Sequence, residues 1–233
     1  RRVYEAHCQT LKKAKINPYD IDMIICATIT PDYQTPSTAC LIQKEIGAKN
    51  AFAFDISSAC SGFIYALHIA KQFLLNNSLK TALVIATEKL SSVTDWEDRS
   101  TCILFGDGAG AAILQSSDDD SGIEKSYIKS DGEKYDLLMI KAGGSKHPAT
   151  IETVKNREHF LTMQGNDVFK NAVNDMCEAS LKVVEDSGWD RKDIKLLIPH
   201  QANIRIIESI KKKLKLTKDQ VYINLHKIGN TSA

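Results

Sequence analysis

The 233 residues are 43% hydrophobic and 25% charged, the composition of a globular protein long enough to bury one large core or two smaller ones. A net charge of +1 gives no global field toward nucleic acid or a membrane surface, so an acidic partner needs a local basic patch. No long apolar run reads as a transmembrane helix, and the opening RRVYEAHCQT is too polar for a signal peptide. Residues 1–15 carry a helical pattern through Val3, Ala6, Leu11 and Ala14, broken at Asn17-Pro18. IDMIICATIT (21–30) reads as a buried strand, followed by a loop over 31–36 holding Pro31 and Pro36. Ser37 is placed to cap a helix that runs to Ile46 and ends at Gly47. AFAFDIS (51–57) predicts a strand, and 60–76 a helix with Phe63, Leu67, Ala70 and Leu74 on one face. TALVIATE (81–88) predicts another buried strand, and CILFGDGAGAAILQ (102–115) two strands joined through a glycine-rich bend. The alternation predicts an α/β fold with a mostly parallel sheet covered on both faces.

Residues 116–122 read as an exposed turn, and YIKSDGEKYDLLMIKAGGSKHP as strands about an Asp131-Gly132 turn followed by a loop. A long amphipathic helix is expected over 165–188, a short buried strand at IKLLIPH (194–200), a helix over 203–214 and a strand at VYINL (221–225). The rhythm of the second part repeats that of the first. It suggests two similar halves, 1–117 and 161–233, joined by 118–160. Both ends read as cut, inside a helical pattern and at GNTSA, so the expectation is part of a longer protein. Six cysteines at 8, 26, 40, 60, 102 and 177 include no C-x-x-C, which argues against a zinc site or a disulfide framework and for a reducing cytoplasm.

In AFAFDISSACSGFIYAL, Cys60 stands among small residues where a strand hands over to a helix. Unpaired amides and the dipole at a helix start stabilise a thiolate, so a lowered pKa is expected there. The same amides can bind a carbonyl oxygen as it turns into an oxyanion. A lone cysteine in such a place is more often structural. IPHQAN places His200 at the end of a predicted strand, before a helix, and GNTSA places Asn230 in a turn after another strand; alone, each is more often a core or turn residue. All three fall at predicted C-terminal strand ends, the edge where open α/β sheets bind ligands.

DISSACSGFIYAL, FGDGAGAAIL, MQGNDVF, PHQANIRII and GNTSA, in this order, resemble the β-ketoacyl-ACP synthase III family of condensing enzymes. The resemblance runs over the whole chain and implies a thiolase-like, five-layered α-β-α-β-α fold of two similar halves, and a homodimer. It implies that Cys60 takes the acyl group of an acyl-CoA primer, acetyl-CoA in the usual case. His200 and Asn230 then donate hydrogen bonds to the thioester oxygen of malonyl-ACP as CO₂ leaves, and the enolate attacks the acyl-cysteine. Such a condensation starts type II fatty acid biosynthesis. Acyl-CoA is a substrate; no cofactor and no metal is implied. The Cys60 amide is an expected oxyanion donor. A malonyl-CoA-using polyketide or specialised-metabolite synthase of the same fold remains an alternative, as does a non-catalytic acyl-binding subunit.

The resemblance also matches Arg99 to a contact for the adenine end of CoA, and Asn203, Phe169 and Ala172 to positions lining the pantetheine tunnel. Without it, Arg99 is a solvated charge and Phe169 and Ala172 are helix core. Lys170, Arg205, Lys212 and Lys213, with Lys211 and Lys215 nearby, form a basic set for docking acidic acyl carrier protein; the plain reading is a solvated face. Thr35 replaces a bulky aromatic that the family often carries before PS-x-AC, which suggests room for longer or branched primers. FGDGAG lacks the ending of a phosphate loop, so Gly106, Gly108 and Gly110 are read as places where chains approach closely.

Overall fold

An unbroken apolar run such as MIICA is stable as a strand only where both of its faces are covered. It forms β1 (Met23–Ala27), every residue of which is buried. The computed structural model describes residues 2–76, 79–118 and 121–233, which fall into two compact units.

The first unit comprises the stretch ending at Lys89, Asp107–Ser126 and Thr231–Ala233. It contains α1 (Arg2–Ala14), β1, α2 (Thr38–Ile46), β2 (Phe52–Ile56), α3 (Gly62–Leu75), β3 (Thr81–Glu88) and β4 (Gly108–Gln115). The sheet order is β2-β1-β3-β4. β1 runs parallel to both neighbours, with Met23 opposite Phe52 and Ala82, and β4 runs antiparallel to β3, with Thr81 opposite Gln115. One face of the sheet sends Ile24, Cys26, Leu83 and Ile85 against Leu11 of α1 and Ala39 and Ile42 of α2. The other sends Met23, Ile25, Ala27, Val84 and Ala86 against Ala66, Ala70 and Leu74 of α3. Each large aliphatic side chain so buried stabilises the fold by about 1.5–3 kcal/mol.

Ser37 caps α2 as expected, its hydroxyl accepting from the Cys40 amide. A second cap comes from β2: the Asp55 carboxylate accepts from the amides of Thr38 (2.7 Å) and Ala39 (2.8 Å), a favoured place for negative charge. Asp22 does the same for the start of β3, accepting from the Lys80 and Thr81 amides.

The second unit comprises Leu90–Gly106 and Tyr127–Asn230. It contains β5 (Leu138–Ile140), α4 (Ile151–Lys155), β6 (Leu161–Met163), α5 (Gly165–Asp186), α6 (Ile204–Leu214) and α7 (Leu225–Ile228). Its core lies between α5 and α6, where Val173 and Cys177 meet Ile206, Ile210 and Leu214. β5 and β6 pair antiparallel, and the Leu161 amide donates to the Val93 carbonyl.

Several expected strands are absent among the described residues. IKLLIPH and VYINL meet only as a single bridge, Leu197 to Val221, and Leu196 (51%) and Ile198 (71%) are exposed. Val221 is buried and Leu197 packs on the α5–α6 core, but the runs are not buried along their length, so only the one bridge forms. Ahead of the FGDG segment, Asp98 holds a turn instead of a strand. Its carboxylate accepts from the Ser100 amide and the Thr101 hydroxyl, and its carbonyl accepts from the Cys102 amide. Only β4 forms from that stretch. Asp131 caps a short 3₁₀ turn over Gly132–Lys134, so YIKSDGEKYDLLMI yields β5 alone.

Candidate active site

β2 ends at Ile56, and the chain passes through a 3₁₀ turn over Ala59–Ser61 before α3 begins at Gly62. Cys60 is therefore in the turn that feeds the helix, one step earlier than the expected helix start. Ala59 is held in the left-handed region at φ 44°, a conformation that costs a residue with a Cβ about 1–2 kcal/mol. The Cys60 sulfur lies 3.7 Å from the Ser232 hydroxyl, and either group can donate.

The expected low thiol pKa is not what the surroundings produce. Burial, the largest effect, pushes the Cys60 thiol up, and the negative charge of Glu88 adds to it. The Ser232 hydroxyl and the backbone amide of Cys60 pull the other way without overcoming burial. The resting side chain is a thiol. Glu88 closes β3 as a buried carboxyl, 4% exposed, and burial raises its pKa too. It accepts from the Thr30 hydroxyl (2.6 Å), the Ile29 amide (3.0 Å) and the Thr28 hydroxyl (3.3 Å), which fastens the chain leaving β1 to the end of β3.

In the second unit, Asn203 caps α6, its side chain accepting from the Arg205 amide at 2.8 Å, and His200 stands three residues earlier. The His200 Nε2 is buried and has no hydrogen-bond partner among the described residues. Burial pulls its pKa down from 6.5 to about 4, so the ring is neutral at physiological pH. A neutral imidazole can present an N–H donor to an oxygen that is gaining charge. Gln201 anchors its surroundings. Its amide nitrogen donates to the carbonyls of Pro199 and Tyr222, and its oxygen accepts from the amides of Asn224 and Leu225.

Asn230 is buried and its backbone is pinned on both sides. Its amide donates to the Leu104 carbonyl (2.9 Å), and its carbonyl accepts from the Gly106 amide (2.8 Å). A Cβ on Gly106 would collide with the Ile228 carbonyl, so the close-approach reading holds there. It holds for Gly108, whose Cβ would lie 2.7 Å from Thr231 Cγ2, but fails for Gly110, which has open space around it.

Of the other expected contacts, Arg99 is exposed on the Asp98 turn, and Phe169 and Ala172 pack against the α5–α6 core. Lys170, Arg205 and Lys212 are exposed. Lys213 instead reaches across to α5, donating to Asn174 Oδ1 at 2.7 Å, and Lys211 pairs with Glu208. Ser232, Glu88 and Gln201 were not singled out by the sequence reading. A charge that ends a buried, mostly apolar strand is the available signal for Glu88. Ser232 and Gln201 lay unremarked inside GNTSA and HQAN.

Comparison with known proteins decides the family. The models for 3-oxoacyl-[acyl-carrier-protein] synthase III and for its C-terminal part match residues 54–132 and 184–233. The β-ketoacyl-[acyl-carrier-protein] synthase III of Caldanaerobacter subterraneus subsp. tengcongensis is 52% identical over 229 residues, 98% of this chain and 69% of that protein. The chain belongs to the β-ketoacyl-[acyl-carrier-protein] synthase III family. The Natranaerobius thermophilus synthase III is 49% identical over 226 residues, 96% of this chain and 69% of that protein. The crystal structure of the Aquifex aeolicus synthase III matches with a TM-score of 0.89 at 44% identity, covering 99% of this chain and 70% of that one. The fold is thus thiolase-like α/β, and the chain is an acyltransferase, a condensing enzyme that initiates fatty acid synthesis.

Proposed function

We propose that Cys60 is the acyl-carrying nucleophile of this synthase and that His200 and Asn230 stabilise the enolate of the second substrate. In the first half-reaction the Cys60 sulfur attacks the carbonyl carbon of an acyl-CoA. The carbon–sulfur bond to CoA breaks, and the thiol proton leaves on the CoA sulfur. In the second, malonyl-ACP loses CO₂, and the negative charge moves to its thioester oxygen. The enolate carbon attacks the acyl-cysteine, releasing 3-ketoacyl-ACP and a Cys60 thiolate that takes a proton from water. The buried, neutral Nε2 of His200, without a hydrogen-bond partner among the described residues, carries this reading, because it is a preorganised donor that a growing negative charge would engage. The Asn230 amide has the matching chemistry, a donor that cannot take up a proton.

Arg99, Asn203, Phe169 and Ala172 are proposed to contact CoA, and exposed Lys170, Arg205 and Lys212 to receive the carrier protein; Lys213 is already engaged with Asn174. A homodimer is proposed through β2. Among the described residues this strand is one of the two edges of the sheet, and Phe52 (43% exposed) stacks on Phe54 and leans on Phe73 there. No helix among the described residues is long and apolar enough to cross a membrane. A cytoplasmic location is proposed, in keeping with six thiols that are free of disulfides. No cofactor is proposed beyond the substrates.

The test is peptide-resolved mass spectrometry of the full-length protein after incubation with acetyl-CoA or isobutyryl-CoA, with Cys60→Ala as control. An acyl adduct on the Cys60 peptide, absent from the variant, is expected. Comparable labelling by both primers would support the room that Thr35 leaves, and labelling by acetyl alone would count against it. No adduct from either would overturn the assignment of the nucleophile.

A further inference from the structure

We propose that Ser232 is a positioning residue for the nucleophile, its hydroxyl donating a hydrogen bond to the Cys60 sulfur and holding it ready to attack. This rests on Cys60 being the nucleophile and adds a residue for which the reaction itself provides no other role.

Three observations in the first unit carry it. The Ser232 hydroxyl is 3.7 Å from the Cys60 sulfur, within reach for a hydrogen bond to a large, polarisable acceptor. Ser232 is 6% exposed and sits at φ 59°, a left-handed conformation that a residue with a side chain adopts at a cost and keeps only where its surroundings enforce it. The enforcement is visible. The strip Thr231–Ala233 lies against two glycines that leave it room: a Cβ on Gly108 would be 2.7 Å from Thr231, and one on Gly62 would be 3.2 Å from Ala233 and 2.9 Å from the Cβ of Ala27. Residues on either side of Ser232 are thus seated where no larger side chain fits beneath them, and the serine between them faces the sulfur.

The chemistry gives the contact a direction of effect. Two influences on the thiol oppose its ionisation, its burial and the charge of Glu88 at the end of β3. The Ser232 hydroxyl is the side chain that opposes them. Hydrogen bonds to charged groups are worth more than those to neutral ones. The contact therefore strengthens as the sulfur gains negative charge, when it gives up its proton ahead of attack and again when the acyl group departs.

The experiment measures the rate of Cys60 alkylation by iodoacetamide against pH, resolved by peptide, in the full-length protein and in Ser232→Ala and Ser232→Gly. Both variants are expected to lose about tenfold or more in alkylation rate at neutral pH and to move the midpoint of the profile to higher pH. Acyl transfer from acetyl-CoA should fall in step. Glycine relaxes at φ 59° and alanine does not, so a purely conformational role would spare one variant, whereas loss of the hydroxyl affects both. If alanine prevents folding, the glycine variant decides. A wild-type profile in either folded variant would overturn the proposal. Alkylation needs no turnover, so that result differs from failure of the nucleophile assignment, in which wild-type Cys60 takes up no acyl group at all.

Discussion

His200 makes the stability of this protein depend on pH in a window where few side chains titrate. In the unfolded chain its ring takes up a proton as pH falls through 6.5; in the folded chain burial delays this to about 4. Between those values the unfolded state binds more protons, so folding stability rises with pH across the window and is lost as pH falls through it. The gap corresponds to ~3 kcal/mol in all, of which ~2 kcal/mol is lost between pH 7 and pH 5. The perturbation is His200→Gln, which keeps an amide donor and removes the titration. Urea unfolding of both full-length proteins at pH 7 and pH 5 gives the difference between them at each pH. Groups common to both, such as Asp95 beside Arg157, cancel. The stability of wild type relative to the variant should drop by ~2 kcal/mol on going to pH 5. An unchanged difference would mean that the ring is solvated in the folded state, which would remove the basis for treating Nε2 as a neutral, buried donor.

Reversing charge at Arg205 and Lys212 together should raise KM for malonyl-ACP about fivefold at low salt while sparing kcat, with the effect shrinking as salt is added; steady-state kinetics with KM unchanged at low salt would remove these residues from the docking surface. Phe52→Lys, a charge on the open edge of β2, should convert a dimer to a monomer at micromolar concentration. Light scattering on a size-exclusion column reads this, and an unaltered dimer mass would move the interface elsewhere.

The first unit was legible because independent signals agreed at each element. MIICA reads as a doubly covered strand and is buried throughout, Ser37 caps the helix it precedes, and Ala70 and Leu74 point into the core. The second unit misled where only one signal existed. IKLLIPH and VYINL are apolar and short, and hydrophobicity alone does not say whether a run is covered; Ile198 lies open to solvent. CILFG failed for a different reason, since Asp98 offers the backbone a set of turn hydrogen bonds that competes with extension.

The candidate site divides in the same way. Cys60, His200 and Asn230 could be picked out as residue types in characteristic surroundings, whereas Ser232 could not be linked to a sulfur 172 positions away. That link exists only because Gly62 and Gly108 make space for the strip that carries it, and space is not written in a local pattern. The sign of the Cys60 perturbation was missed for a related reason. Placement at a helix start says nothing of burial, which is the largest effect on the thiol. A thiol that rests protonated nevertheless suits the first half-reaction. In the proposed role its proton is the one the departing CoA sulfur would need, so a neutral nucleophile would arrive with the leaving group's proton already in place. The stabilisation that matters is then the one that appears as charge develops, which is what a hydroxyl held against the sulfur supplies.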